Sequence, residues 1–261
     1  VKKYMFQFGM DRRTLYIIMA VLVIMSFGRY LTDTNALLSL VMTIPAVLIA
    51  ITFHEYAHAF AADRLGDNTP RAQGRLNLNP LSHIDPVGFA LLIVAGFGWG
   101  KPVQVNPRNF KRNITMSKAE AIVSFAGPLT NFILAIISTI ILAVILKYNL
   151  LVDISVKAYW LILVFIMELI LINVGLGLFN LLPVPPLDGS KILNHFLPYN
   201  ARNWFERNQQ ILYIIFIVIW ITGLASIIIS PCIEGAVKGI FYVIGKAFNI
   251  DLPIILQLFG I

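Results

Sequence analysis

The sequence predicts an all-α polytopic membrane protein with about five to six transmembrane helices, and two observations support this prediction. The 261 residues are 58% hydrophobic and only 13% charged, and their mean hydropathy is +0.81, whereas soluble domains are about half apolar and a quarter charged. Several apolar runs also reach the roughly 20 residues that a helix needs to cross a bilayer. We expect one membrane-embedded domain over residues 1–261.

The apolar runs predict five spans, at about 14–31, 36–62, 118–147, 158–182 and 210–230. The first run follows basic residues, as in a signal peptide, but no small-x-small cleavage site follows it, so we interpret it as a retained anchor. The tail 231–261 is apolar but interrupted by charges and prolines. Its hydrophobic residues recur at helical spacing, which predicts an amphipathic helix at the interface; a sixth span is the alternative.

The region 63–117, between the second and third spans, has a different composition, rich in proline, glycine and asparagine. Its apolar island "GFALLIVAGFGWG" is too short for an ordinary span, so we predict a re-entrant or interfacial element. Leu76, Asn77 and Leu78 alternate apolar and polar side chains, which is typical of a short strand. The edge of such a membrane-associated strand could pair with an extended substrate. A plain connecting hairpin is the alternative.

Basic residues predict the orientation. Fifteen of the 20 Lys and Arg residues fall in segments 1–13, 63–118 and 183–209. Cytoplasmic loops carry an excess of Lys and Arg, so these segments, and with them the N-terminus, are predicted to be cytoplasmic. The net charge of +7 then reflects membrane topology rather than nucleic-acid binding. We therefore expect a multi-pass protein embedded in the lipid bilayer of a prokaryotic plasma membrane.

The second span contains the sequence "ITFHEYAHAF", in which His54 and His58 are four residues apart and therefore share one helix face. This spacing lets two imidazoles bind one zinc ion, with Glu55 beside them as a general base for water attack on a carbonyl. Ionisable residues at membrane depth usually mark a functional site. Solvated residues near a helix end, or a chance match, are the alternatives.

Asp188 is the candidate for the third zinc ligand, because two protein ligands leave a catalytic zinc one short. It follows the fourth span, where the prolines in segment 183–186 prevent the helix from continuing. Asp188 and His58 both lie toward the predicted cytoplasmic ends of their spans, so they can meet. An N-cap of the following helix is the alternative for Asp188. His83 and Asp85 are predicted to have a loop role, since three ligands and water complete a catalytic zinc.

Five segments together resemble the site-2 proteases, zinc metalloproteases that cut within the membrane: "FHEYAHAFAADRLGD", "RLNLNPLSHIDPVG", "GWGKPVQVNPRNF", "SFAGPLTNF" and "NLLPVPPLDG". The resemblance is to the minimal core type, without a PDZ or CBS domain. It implies that His54, His58 and Asp188 bind one zinc ion per chain and that Glu55 is the catalytic acid/base. It also implies that Asn131 lies near the site and helps hold the substrate or the developing oxyanion. A buried Asn donating between helices is the alternative.

These observations predict a metalloendopeptidase, a zinc-dependent intramembrane enzyme that cleaves single-span membrane proteins near the cytoplasmic leaflet. A membrane metal-ion transporter using His54, Glu55 and His58 is the alternative from another class. Transporters usually show two related halves with paired broken helices, and the sequence shows no such repeat. An inactive scaffold is less favoured, because every candidate ligand and Glu55 are present. The sequence identifies neither the substrate nor a regulatory partner.

Overall fold

The computed structural model describes residues 34–89, 99–151 and 153–259, which form helices connected by loops. Within these ranges the helices, numbered here in chain order, are α1 Thr34–Arg64, α2 Thr69–Ala72, α3 Pro80–His83, α4 Met116–Lys147, α5 Val156–Asn180, α6 Asp188–Phe196, α7 Tyr199–Arg207, α8 Gln209–Ile221, α9 Leu224–Phe248 and α10 Pro253–Leu258, and Pro107–Asn109 forms a 3-10 turn. Among the described helices α1, α4, α5 and α9 are long and apolar enough to cross a membrane. The protein is therefore a multi-pass integral membrane protein.

Helix α1 covers the predicted second span and continues to Arg64. It ends where Gly66 adopts a φ of +109°, a conformation that residues other than glycine rarely adopt. The free carbonyl groups of its last turn are satisfied: the Asp67 amide donates to the Ala62 oxygen at 2.9 Å, and Lys111 Nζ donates to the Arg64 oxygen at 2.9 Å. This end of α1 is thus fixed to the loop that follows.

Helices α4 and α5 form the centre of the fold, and α4 packs against α1, α5, α6 and α9. Both helices begin at a side-chain cap: Thr115 Oγ1 accepts from the Lys118 amide, and Ser155 Oγ accepts from the Ala158 amide. They coincide closely with the predicted spans 118–147 and 158–182. One face of α4 is buried among the helices. The opposite face exposes a row of isoleucines, as expected of a helix that contacts lipid.

The main apolar core joins α4, α5, α9 and α10. Its most buried side chains include Leu142, Met167, Ile170, Phe241 and Leu256, which are at most 1% exposed. In a bilayer the lipid chains are as apolar as these side chains, so close packing rather than water exclusion favours this association. This core lies beside α1 and holds α4 and α5 in the positions from which they contact it.

The prediction of a single span over 210–230 is wrong. Helix α8 stops at Ile221 and α9 begins at Leu224, because Gly223 between them has a φ of +75°. A left-handed glycine ends a helix, and the 13 residues of α8 reach only about 20 Å, less than the hydrocarbon thickness. Helix α9 continues through Pro231, so the tail contains most of a helix that is long and apolar enough to span. The interfacial helix and the sixth span both stay predictions for the tail.

The predicted strand at Leu76–Leu78 is also wrong. Within the described residues the only β-type pairing is an isolated antiparallel bridge between Ile84 and Gly100. The asparagine at position 77 instead bonds to nearby backbone: its Nδ2 donates to the Gly74 oxygen, and its Oδ1 accepts from the Asn79 amide at 2.8 Å. Such local bonds favour turns over strands.

Two other predictions concern residues outside those that the structure describes. The first predicted span, 14–31, is one of them. The other is the predicted re-entrant element, because most of the apolar island, residues 90–98, falls in a gap between the described ranges.

Candidate metal centre

His54, His58 and Asp188 meet between α1 and the start of α6. The Nε2 atoms of the two histidines lie 3.0 Å apart. Asp188 Oδ2 lies 3.2 Å from His54 Nε2 and 3.1 Å from His58 Nε2. Both histidines are buried, and the Asp188 side chain is only 13% exposed. Within the described residues this is the only group of three such side chains close enough to hold a metal ion.

The three atoms fit a zinc ion in both chemistry and spacing. Two imidazole nitrogens and a carboxylate oxygen form a ligand set typical of catalytic zinc, with a position left for water. Zinc bonds of about 2.0–2.1 Å in tetrahedral geometry place neighbouring ligand atoms roughly 3.3–3.4 Å apart. The observed separations of 3.0–3.2 Å need only a small adjustment to reach this spacing.

The other ring nitrogen of each histidine has a partner in α4. His54 Nδ1 lies 2.6 Å from Asn131 Oδ1, and His58 Nδ1 lies 2.7 Å from the Val123 carbonyl oxygen. Both partners are acceptors, so each Nδ1 carries the proton and donates it. Each Nε2 then presents its lone pair to a metal, which is how outer partners commonly orient histidine ligands.

Asn131 itself is held by two further bonds. Its Nδ2 donates to the Ala50 oxygen at 3.1 Å and to Asn173 Oδ1 at 2.8 Å, and its side chain is completely buried. The Asn173 Nδ2 donates in turn to the Leu169 oxygen at 2.8 Å. The amide of Asn131 therefore links α1, α4 and α5 next to the His–His–Asp cluster.

Gly127 allows α4 to approach the histidines closely. A Cβ atom at this position would lie 2.5 Å from His58 Nε2 and 2.7 Å from His54 Cε1. Both separations are shorter than carbon contacts tolerate, so any side chain here would displace the rings. The absence of a side chain at Gly127 is what leaves room for both imidazoles against α4.

Asp188 is the first residue of α6, and its side chain points to the histidines rather than capping the helix. The N-cap position belongs to Leu187, and no side-chain cap bond forms there. The turn before α6 is tight, because a Cβ atom at Gly189 would lie 2.2 Å from the Leu181 oxygen. Its Oδ2 lies within 3.2 Å of both Nε2 atoms, so Asp188 contributes the carboxylate oxygen of the three converging atoms.

Glu55 lies beside this cluster but is not one of the three converging side chains. Its Oε2 accepts a hydrogen bond from the Val103 amide at 2.9 Å, and the residue is 9% exposed. The backbone passes close by, since a Cβ atom at Gly100 would lie 2.7 Å from Ile51 Cγ2 and 3.5 Å from Glu55 Oε1. One carboxylate oxygen is thus fixed by the backbone of an irregular segment.

That segment, residues 101–106, has no regular secondary structure and is anchored at both ends. At the first end the Lys101 amide donates to the His83 oxygen at 2.8 Å, and Arg75 Nη2 donates to the Lys101 oxygen. At the other end the Asn106 amide donates to Asp67 Oδ2 at 2.7 Å. The segment therefore holds the Val103 amide in place for Glu55.

The remaining candidate residues lie in the loop around this segment. His83 is fully buried, and its Nε2 donates to the Asn77 oxygen at 2.7 Å; burial lowers the pKa of His83, so its ring is neutral. Asp85 Oδ1 accepts from the amides at 87 and 88. Neither joins the three-residue cluster. Leu76 is partly buried and Leu78 is 49% exposed.

Sequence reasoning did not identify three groups that position the site: the Asn173 amide, the backbone of Val103, and Gly127. Asn173 had a usable signal, because a polar residue in a long apolar span needs a partner. Gly127 lies within the quoted "SFAGPLTNF" segment, but its packing role needs the position of α1. The Val103 amide has no side-chain signal at all.

Comparisons with known proteins bear on the same region. The chain matches peptidase family M50 over residues 42–223. It is 37% identical over 203 residues to "Putative zinc metalloprotease YwhC" of Bacillus subtilis, covering 78% of this chain and 90% of that protein. It is 30% identical over 185 residues to "Putative zinc metalloprotease Rip2" of Mycolicibacterium smegmatis, covering 70% and 67% respectively. No solved structure gives a significant match.

The family match begins within α1, ahead of both histidines, and runs past the end of α8, so it includes the whole His–His–Asp cluster. Both relatives are named as zinc metalloproteases, which agrees with the ligand set found here. The protein is therefore a zinc metalloprotease, and the chain belongs to peptidase family M50, the site-2 protease family.

Proposed function

We propose that this protein is a zinc-dependent intramembrane endopeptidase that hydrolyses peptide bonds in or near the transmembrane segments of single-span proteins. The convergence of His54, His58 and Asp188 within 3.0–3.2 Å carries the proposal, because two of these residues lie in a helix apolar and long enough to cross a membrane. A protease centre in such a helix is suited to substrates that reach it through the bilayer.

In this proposal His54, His58 and Asp188 hold one zinc ion per chain. The ion supplies Lewis-acid activation of water and of the scissile carbonyl. The protein residues do the positioning: Asn131 and the Val123 carbonyl keep both Nε2 atoms directed at the same point. Burial of the ligands excludes other water from the reaction.

Glu55 is proposed as the general base and then the general acid. The Val103 amide holds Oε2, which leaves Oε1 for the attacking water. Glu55 takes a proton from this water as the water oxygen forms a bond to the carbonyl carbon. It then gives the proton to the amide nitrogen as the carbon–nitrogen bond breaks, so protons balance over the cycle. Such transfer contributes about 10²–10⁴-fold in rate.

Substrate must leave its helical form before attack, and the freed backbone groups then need hydrogen-bond partners. Contact of Leu76, Asn77 and Leu78 with substrate stays a prediction, now through a loop rather than through the edge of a strand. Substrate contact by Asn131 also stays a prediction. Its buried amide already bonds to His54, Ala50 and Asn173, which favours a role in positioning His54.

The proposed orientation follows the basic residues: a cytoplasmic N-terminus, in the plasma membrane of a prokaryote, with the metal centre toward the cytoplasmic leaflet. Reporters fused within residues 108–113 should read cytoplasmic, and reporters within 149–155 should read external. The reverse pattern would place the centre at the opposite leaflet.

The test of function is Glu55→Gln, with Glu234→Gln as a matched control. Both remove one carboxylate, but Glu234 pairs with Lys238 on α9, away from the metal centre. Glu55→Gln should keep its zinc and lose at least about 10²-fold in cleavage rate. Single-span proteins that wild type processes should accumulate in the Glu55→Gln strain, where proteomics can identify them. The Glu234→Gln strain should resemble wild type.

The trapped protein is then purified and reconstituted with each variant in proteoliposomes. Cleavage by zinc-loaded Glu55→Gln at the wild-type rate would contradict the mechanism. No observation favours the metal-transport alternative. That alternative expects the same substitution to change metal flux while leaving no membrane protein uncut.

A further inference from the structure

Arg75 is a buried cation in the loop between α2 and α3, and no step of the proposed reaction has yet given it a role. The residue is only 6% exposed. Arg71, four residues earlier, is exposed and donates to both oxygens of Asp63 at 2.8 Å. Arg75 takes part in none of the ion pairs found among the described residues. Burying an unpaired charge is costly, so the buried position of Arg75 points to a specific role.

The guanidinium of Arg75 holds one backbone carbonyl. Its Nη2 donates to the Lys101 oxygen, while the Lys101 amide donates to the His83 oxygen at 2.8 Å. Arg75 is itself fixed, because its own amide donates to the Pro70 oxygen at 2.8 Å. Both backbone groups of Lys101 are therefore held by the loop that contains α3.

Pro102 carries this restraint to the Val103 amide. The peptide bond between Lys101 and Pro102 is planar, so a restraint on the Lys101 oxygen also restrains the proline nitrogen. The proline ring limits φ to about −65°, which leaves the ψ of Pro102 as the only soft dihedral before the plane of the next amide. That amide, of Val103, donates to Glu55 Oε2 at 2.9 Å. The bond made by Arg75 thus limits the direction of the group that holds Glu55.

Arg75 also lies within electrostatic range of Glu55. Burial lowers the pKa of the Arg75 guanidinium, and the Glu55 carboxylate partly offsets this effect. The backbone before Lys101 fills the space beside the carboxylate: a Cβ atom at Gly100 would lie 3.1 Å from the His83 oxygen and 3.5 Å from Glu55 Oε1. The loop and the carboxylate are therefore close neighbours, with the backbone of this segment between them.

We propose that Arg75 is a positioning residue for the general base: it holds the Lys101 carbonyl and, through Pro102, keeps the Val103 amide directed at Glu55. The proposal rests on the proposed protease function, in which Glu55 moves the proton. Arg75 is not one of the three side chains that converge at the metal centre. It should therefore affect the rate of proton transfer and not the binding of zinc.

The test uses Arg75→Met, which removes the donor and the charge but keeps a long side chain. Arg71→Met is the matched control, because it removes an arginine of the same region whose guanidinium bonds to Asp63 instead. Each enzyme is reconstituted with the single-span protein that accumulates in the Glu55→Gln strain, and kcat and KM are measured. Zinc content and the hydrogen–deuterium exchange of segment 101–106 are measured on the enzyme without substrate.

Arg75→Met should lose about 10- to 100-fold in kcat, because a misplacement of about 1 Å in a catalytic site can cost 10²-fold. KM and zinc content should match those of wild type. The amides of segment 101–106 should exchange faster than in wild type, while those of α4 and α5 should not. Arg71→Met should match wild type in every measurement. Wild-type kcat in Arg75→Met, or unchanged exchange of the segment, would overturn the proposal.

Two further variants test the individual steps. Arg75→Lys keeps a donor and the charge, so its kcat should lie between those of wild type and Arg75→Met; a kcat no higher than that of Arg75→Met would count against the hydrogen bond. Pro102→Gly leaves Arg75 in place but frees φ at an exposed position, so kcat should fall with zinc content unchanged. If Arg75→Met does not fold, Pro102→Gly decides, and wild-type kcat in that variant contradicts the proposal.

These measurements separate the positioning role from the proposed function. If Glu55→Gln cleaves at the wild-type rate, the protease mechanism fails and the role of Arg75 fails with it. If Glu55→Gln is slow while Arg75→Met and Pro102→Gly cleave as wild type does, the mechanism stands and only the positioning role fails.

Discussion

Gly127→Ala is a sharp test of how the metal centre is built. The change adds one methyl group to α4, and that group would lie 2.5 Å from His58 Nε2 and 2.7 Å from His54 Cε1. An ordinary contact needs about 3.4 Å, so the nearest ring atom has to move by 0.9 Å, the difference between 3.4 and 2.5 Å. Zinc sites tolerate deviations of only about 0.2 Å in ligand distance.

The expected energies separate metal binding from folding. Alanine in place of glycine favours the helix by about 1 kcal/mol, whereas overpacking costs about 1–3 kcal/mol. The fold should therefore lose at most about 2 kcal/mol. Zinc binding needs the two rings in their original positions, so overpacking by the methyl group also weakens zinc affinity. A loss of 1–3 kcal/mol there corresponds to roughly 5- to 150-fold weaker affinity, since 1.4 kcal/mol is tenfold.

The assay is a zinc titration of the metal-free protein in detergent against a competing chromophoric chelator, with thermal unfolding measured in parallel. Gly239→Ala is the matched control, because it makes the same change in α9 and the new methyl group meets no atom within 4 Å. Gly239→Ala should bind zinc as wild type does. Wild-type zinc affinity in Gly127→Ala would refute the geometry described here.

Two further predictions concern the surroundings of the site. Asn131→Leu removes the acceptor for His54 Nδ1 and should lower zinc affinity about 10- to 100-fold in the same titration; unchanged affinity with a raised KM would instead support substrate contact. Burial alone would raise the pKa of Asp67, but hydrogen bonds from Thr69 and Asn106 outweigh it and this pKa is lowered from 3.8. The stabilising contribution of ionised Asp67 is therefore present above pH 3.8 and lost as the pH falls through the lower folded-state pKa. The thermal midpoint of wild type should consequently fall more steeply in acid than that of Asp67→Asn. Parallel curves of thermal midpoint against pH would contradict this.

The residues that sequence reasoning placed best are those whose relation is local. His54 and His58 share a helix face whatever surrounds the helix, and their Nε2 atoms do lie 3.0 Å apart. Asp188 needed one further assumption, that two spans end at the same side of the membrane. The structure brings its carboxylate to within 3.2 Å of both rings. Its binding of zinc stays a prediction that the titrations above can test.

Local reasoning failed where one pattern fits two structures. Alternation at 76–79 predicts a strand, but asparagine side chains can bond to nearby backbone and stabilise a turn instead. Asn77 and Asn79 do so here, the latter by accepting from the Leu81 amide at 3.1 Å. Apolar content likewise marked 210–230 as a span without locating its break. A glycine in a left-handed conformation at position 223 decided where α8 ends.

The asparagines show the limit of sequence reasoning most clearly. A polar amide in an apolar helix needs a partner, so the sequence can predict that Asn173 has one but not which one. The partner is Asn131, 42 residues away, and Asn131 in turn meets His54 across 77 residues. These bonds join α5 to α4 and α4 to α1 at the level of the His–His–Asp cluster. The direction of the His54 ring is therefore determined by how three membrane helices pack, and packing of this kind leaves no periodic signal in any one of them.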